Sequence, residues 1–181
     1  MVASSHGLGR AEILALLNEV GCEAERREVS VSIFLVGGAA MALAYSTTRA
    51  TKDLDGVFEP KQVVYEIAAG IARDHPEYGL SDDWLNDAAK SFLPGDDALA
   101  STLFELPALS VRVASPRYLF VMKAMAAREV DEEDLRILYP LCHFESAAEA
   151  LNALEAAYLG RPMKAAVQYL LEGIAAEFDG P

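Results

Sequence analysis

Apolar positions fall into two regimes along the chain. Ile13, Leu14, Leu16, Leu17 and Val20 recur at helical spacing, which predicts an amphipathic helix that Gly21 is placed to end. Residues 31–36 (VSIFLV) form a β-branched apolar run, the mark of a buried strand, and it stops at Gly37-Gly38. The alanine-rich AAMALAY that follows predicts helix. A second strand is expected over 51–58 and a helix over 61–74, with Pro60 at its start and Pro76 beyond its end. The pattern then weakens, apart from the cluster DDWLND at 82–87, before two short strands at 104–106 and 110–113 around Pro107. Beyond Pro116 the periodicity is helical throughout, over 117–129, 132–139, 145–158 and 163–178, with breaks at Pro140, Gly160 and Pro162. The expected fold is therefore α+β: a mixed sheet with helices in a core over 1–114, then a helical C-terminal part over 115–181.

Composition narrows the function classes. Of the 181 residues, 52% are hydrophobic, enough for a real core, and 28 acids against 15 bases leave a net charge of −13. A broad nucleic-acid coat is disfavoured, because non-specific affinity for phosphates comes from positive charge. No basic-then-apolar leader opens the chain, and the longest apolar runs are far short of the roughly 20 residues a bilayer requires. Cys22 and Cys142 are too few for a disulfide framework, and neither they nor the three histidines have zinc-site spacing. Gly7-Leu8-Gly9 leads into no strand-to-helix phosphate loop and is expected to be a mobile terminus. These features describe a soluble cytoplasmic protein with no membrane partner. Two segments run against the overall charge: 39–52 carries Arg49 and Lys52 with no acid, and 110–128 carries Arg112, Arg117, Lys123 and Arg128 with no acid. Such confined basic stretches suit recognition of phosphate at one place.

The informative stretch runs from Leu35 to Asp55. A strand ending in Gly37-Gly38 before a helix lets backbone N–H groups approach a phosphate, with the helix N-terminus adding partial positive charge. If the following segment is extended, Arg49, Thr51, Asp53 and Asp55 share one face. The Cα atoms of Asp53 and Asp55 would then lie roughly 6.6 Å apart, so both carboxylates can converge on divalent metal. Oxygen ligands of this kind suit Mg²⁺, with substrate phosphates completing the shell. A solvated strand face is the alternative. Lys123 interrupts a helix apolar almost all round, so its ammonium either finds an anionic partner, a phosphate or a carboxylate, or snorkels to the surface. Asp131 is expected as a helix N-cap, while Asp134 could add a carboxylate or hold Lys123. The Thr51 hydroxyl, beside Arg49, would be an off-switch if phosphorylated; the alternative is an ordinary strand residue.

LVGGAAMALAYSTTRATKDLDGVF resembles the signature of polymerase-β-type minimal nucleotidyltransferases: a glycine turn, a helix, then a strand bearing D-x-D. The form R-x-T-x-D-L-D, with the later K-A-x-A-x-R and D-x-x-D runs from Lys123 to Asp134, is similar to AbiEii/MenT-type toxin nucleotidyltransferases and their DUF6036 relatives. The DDWLND segment is also similar to one common in the latter group. Arg49 and Thr51 beside the two acids suit a nucleotide-binding phosphate cradle, and the resemblance implies a nucleotidyltransferase fold, an NTP held by Gly37 and Gly38, and Mg²⁺ on Asp53 and Asp55. It further implies Lys123 on phosphates, Asp134 in the catalytic set, a tRNA acceptor end as substrate, and an antitoxin protein as partner. A third carboxylate, common on a later strand in such enzymes, is missing from 109–113; Glu105 is the nearest acid. A catalytically silent nucleotide-fold module and a small-molecule nucleotidyltransferase of the antibiotic-modifying kind are the alternatives.

Overall fold

The computed structural model describes residues 7–46, 48 and 50–178. The chain forms two compact units, Met1–Ser91 with Leu99–Ala114, and Phe92–Ala98 with Ser115–Pro181.

The first unit is built on a five-stranded mixed sheet. Its strands are β1 (Val31–Leu35), β2 (Leu54–Glu59), β3 (Leu85–Asn86), β4 (Ser101–Leu106) and β5 (Leu109–Val113), in the order β3-β2-β1-β5-β4. β1 runs antiparallel to β2 and parallel to β5; β3 lies parallel to β2, and β4 and β5 form a hairpin. Alternation decides the faces. Val31, Ile33, Leu35, Leu54, Phe58, Leu109 and Val111 point into one core with α1 (Arg10–Arg26) and α3 (Lys61–Asp74). The opposite face carries Ser32, Phe34, Asp55, Val57, Ser110 and Arg112. Between β1 and β2 comes α2 (Gly37–Ala40), which runs on into a π-helical turn, Met41–Tyr45. The Tyr45 hydroxyl donates to the Ala114 carbonyl at 2.7 Å and ties that turn to the end of β5.

Several expected features shift. Gly21 does not end its helix: α1 continues to Arg26, and a Cβ at Gly21 would lie 2.6 Å from Leu106 Cδ1, so the missing side chain serves close packing. The strand expected from 51 begins at Leu54, with a bend at 52–53 before it. Gly7-Leu8-Gly9 is no loose end: Leu8 is buried and pairs with Thr51 through both backbone groups, at 2.6 and 3.0 Å.

The second unit contains α4 (Pro116–Ala126), α5 (Glu132–Leu141), α6 (Ala147–Ala157) and α7 (Ala165–Phe178). Phe120, Tyr139 and Phe144 pack with ring centroids 5.1–6.0 Å apart, and Phe178 stacks on Tyr139. The segment Phe92–Ala98 is tied in by side chains: Ser115 N–H and Oγ donate to Asp97, and the hydroxyls of Tyr118 and Tyr158 donate to the carbonyls of Gly95 and Phe92. Pro140, expected as a break, sits within the last turn of α5, where little of the helix remains to be interrupted.

Candidate active site

The glycine turn and the acidic strand meet at the end of β1. The Val36 N–H donates to the Asp55 carbonyl at 2.9 Å, so the chain enters the turn beside the second acid. Gly37 then takes φ +61°, and a Cβ there would stand 3.1 Å from Asp55 Oδ2. A side chain at Gly37 would thus be both strained and in the way of the carboxylate. Gly38 is closed on the other side: its Cβ would come 2.7 Å from Thr51 Oγ1. The first N–H groups of α2 lack intrahelical acceptors and carry the partial positive charge of the helix start.

Asp53 and Asp55 are placed by different devices. Asp55 is half-buried within β2, on the face away from the core. Asp53 is exposed and lies in the bend just before β2, so continuous strand alternation does not carry it. The Thr51 hydroxyl donates to the Asp53 carbonyl at 2.9 Å and shapes that bend. Thr51 is therefore neither a plain strand residue nor a loose hydroxyl. Arg49 lies outside the described residues.

Lys123 and Asp134 belong to the helical unit. Lys123 is buried and does not snorkel. Its Nζ donates to Asp131 Oδ1 at 2.6 Å and stands 2.8 Å from Asp134 Oδ2, the second contact being an ion pair rather than an aligned hydrogen bond. Asp131 sits at the start of α5 as expected, yet its carboxylate turns to the lysine and caps nothing. Burial pushes the Cys142 thiol, just past the end of α5, up to about 12, so it is not a thiolate nucleophile near neutral pH.

The fold gives residues 82–87 a structural role. Trp84 is fully buried, and its indole N–H donates to the Ala68 carbonyl of α3 at 2.9 Å. Leu85 and Asn86 form β3, in register with Leu54 and Asp55. Asp87 accepts from the Tyr65 hydroxyl at 2.7 Å and pairs with Lys61 at 2.7 Å. The Lys61 ammonium first, then the Tyr65 hydroxyl, hold its carboxyl below the usual range. A two-residue strand is too short to show periodicity, which is why spacing alone missed it.

Farther along the same face, Ser32, Phe34, Val57, Glu59, Ser110 and Arg112 line a depression. β5 contributes no acid to it, and Glu105 on β4 is in register with Ser110.

A mixed sheet with a glycine turn closed against an acidic strand, followed by a helical part, is the nucleotidyltransferase fold. Residues 12–145 match the family described as "Nucleotidyltransferase of unknown function (DUF6036)", and the chain belongs to that family. No curated protein and no solved structure gives a significant match. No helix among the described residues is long and apolar enough to cross a membrane.

Proposed function

We propose that the protein transfers a nucleoside monophosphate from an NTP to an acceptor hydroxyl, with Asp53 and Asp55 holding Mg²⁺: the hydroxyl oxygen bonds to the α-phosphorus as its bond to pyrophosphate breaks, pyrophosphate leaves, and the hydroxyl proton passes to solvent. The observation that carries this reading is the closure of Gly37 on Asp55, with 3.1 Å between a hypothetical Cβ and Oδ2. With no side chain between them, the helix start and the carboxylate lie side by side, so a phosphate held by the backbone N–H groups would sit next to Asp55. Among the described residues no group of three or more His, Cys, Asp or Glu could hold a metal. The donor set we propose is the two carboxylates of Asp53 and Asp55, which suits Mg²⁺ when phosphate oxygens supply further ligands. Bound there, the ion would neutralise charge developing on the transferred phosphoryl group.

The chain's own residues do the positioning. Gly37 and Gly38 bring backbone N–H groups to the phosphates, and the Thr51 hydroxyl fixes the bend that presents Asp53. Within the helical unit, Asp131 and Asp134 hold the Lys123 ammonium in place. As acceptor we propose the 3′ end of tRNA, with an antitoxin protein as the controlling partner. The R-x-T-x-D-L-D run supports that reading. A catalytically silent module is the rival, favoured by a β5 whose positions on the open face are Ser110 and Arg112 rather than an acid.

The test supplies each α-labelled NTP with Mg²⁺ and total cellular RNA. Label entering an RNA of tRNA size, and lost in Asp53→Ala and in Asp55→Ala, is the expected result. Label entering only protein or a small molecule overturns the tRNA acceptor. No transfer from any of the four NTPs overturns the enzyme.

A further inference from the structure

Three residues of β3 and its flanks have structural work. Trp84 and Leu85 are buried in the core, and Asp87 is clamped by Lys61 and Tyr65. Asn86 is different. It is half-buried, and it is the register partner of Asp55 across the parallel β2–β3 pair. Leu54 and Leu85, the preceding partners, both go fully into the core. Asp55 and Asn86 therefore emerge together on the opposite face, on strands about 4.8 Å apart. Asp55 stands between Gly37 on its β1 side and Asn86 on its β3 side.

The amide is already oriented. Asn86 Oδ1 accepts the Ala88 N–H at 3.0 Å, which assigns the oxygen and leaves Nδ2 as a pair of donors. Among the described residues no acceptor for them is seen. The chemistry of a neutral donor suits this position. A lysine or arginine would pair with Asp55 and compete with a cation, whereas an acid would repel both the carboxylate and a polyanion.

We propose that Asn86 is a substrate-contacting residue of the nucleotidyl site, its Nδ2 donating to an oxyanion of the triphosphate bound at Asp55. This rests on the nucleotidyltransfer reading above. It gives the DDWLND segment one purpose: Trp84 and Asp87 anchor a two-residue edge strand so that Asn86 flanks the catalytic carboxylate.

The test measures binding of ATP, GTP, CTP and UTP with Mg²⁺ by calorimetry, alongside Tm, in the full chain. Asn86→Ala removes both the turn acceptor and the donors. Asn86→Asp keeps an acceptor for the Ala88 N–H, loses the donors and adds a negative charge. The expected result is at least about a tenfold loss of NTP affinity in both, as for a hydrogen bond to a charged group. Tm should fall in Asn86→Ala and stay at wild type in Asn86→Asp. Wild-type affinity in Asn86→Asp makes Asn86 a turn former and overturns the proposal. Weakening confined to Asn86→Asp reports added charge and overturns it as well. The underlying reading fails separately: if wild type binds none of the four, or if Asp55→Ala binds as well as wild type, the nucleotide site itself is wrong and the proposal falls with it.

Discussion

At Gly38 the addition of one methyl group decides a geometry. A Cβ would lie 2.7 Å from Thr51 Oγ1 and 3.1 Å from Thr51 Cβ, and a threonine has no flexible end to swing away. Relief requires turning the Thr51 hydroxyl, which breaks its bond to the Asp53 carbonyl. Gly38→Ala is therefore expected to displace Asp53 and cut transfer by a factor of ten or more, as misplacement by about 1 Å can, while the core, which neither residue enters, keeps Tm near wild type. Steady-state turnover beside a melting curve checks this. Lys123 gives the opposite balance. A buried lysine by itself invites replacement by methionine as a stabilising change. With Asp131 and Asp134 at 2.6 and 2.8 Å, Lys123→Met leaves two buried carboxylates facing each other. The expected loss is about 3–5 kcal/mol, measurable by urea unfolding, whereas replacing all three residues by apolar ones should restore most of it.

Between elements, His75 is the titrating link. It follows α3, and its ring nitrogens meet Glu77 at 2.9 Å and Glu19 of α1 at 2.9 Å. The contact with Glu77, then that with Glu19, raises its pKa above the usual value of 6.5. A raised pKa in the folded chain means the stabilisation is fully present below about pH 6.5 and is lost as pH rises through the folded value. Tm is expected to fall between pH 6 and pH 9 by more in the wild type than in His75→Gln. Parallel slopes in the two proteins would show that the histidine contributes nothing to this dependence. The same α3 carries the β3 segment. Trp84→Ala is expected to cost about 3–5 kcal/mol, because it empties a large buried site and removes the indole's hydrogen bond to the Ala68 carbonyl.

For the whole molecule, −13 on 181 residues is a standing repulsion within the fold. Screening should relieve it, since the Debye length shrinks from about 10 Å at 0.1 M salt to about 3 Å at 1 M. Adding NaCl at pH 7 is expected to raise Tm, and the gain should shrink near pH 5, close to the pI of about 4.6. A Tm that falls with salt at pH 7 would mean that specific ion pairs, such as Arg136 with Glu132 and Glu177, outweigh the net charge.

Sequence by itself determined the elements whose cause is local. The β-branched run at 31–36, the helix bracketed by Pro60 and Pro76, the Pro107 hairpin and the helical C-terminal part follow from periodicity and turn chemistry, which neighbours along the chain supply. The D-x-D pattern beside a glycine turn was legible for the same reason, since its chemistry is written in residue types at short spacing. Tertiary structure decided the rest. Gly21 sits inside a helix rather than at its end, packed against Leu106, a residue 85 positions away that occupies the space a side chain would take. Where β2 begins depends on Leu8 pairing with Thr51, a contact that no window of local pattern contains. Lys123 presents the same ammonium in any sequence reading, and only folding brings Asp131 and Asp134 to it. Asn86 becomes the neighbour of Asp55 through a two-residue strand that has no period to read, because register is a property of two chains side by side and not of either alone.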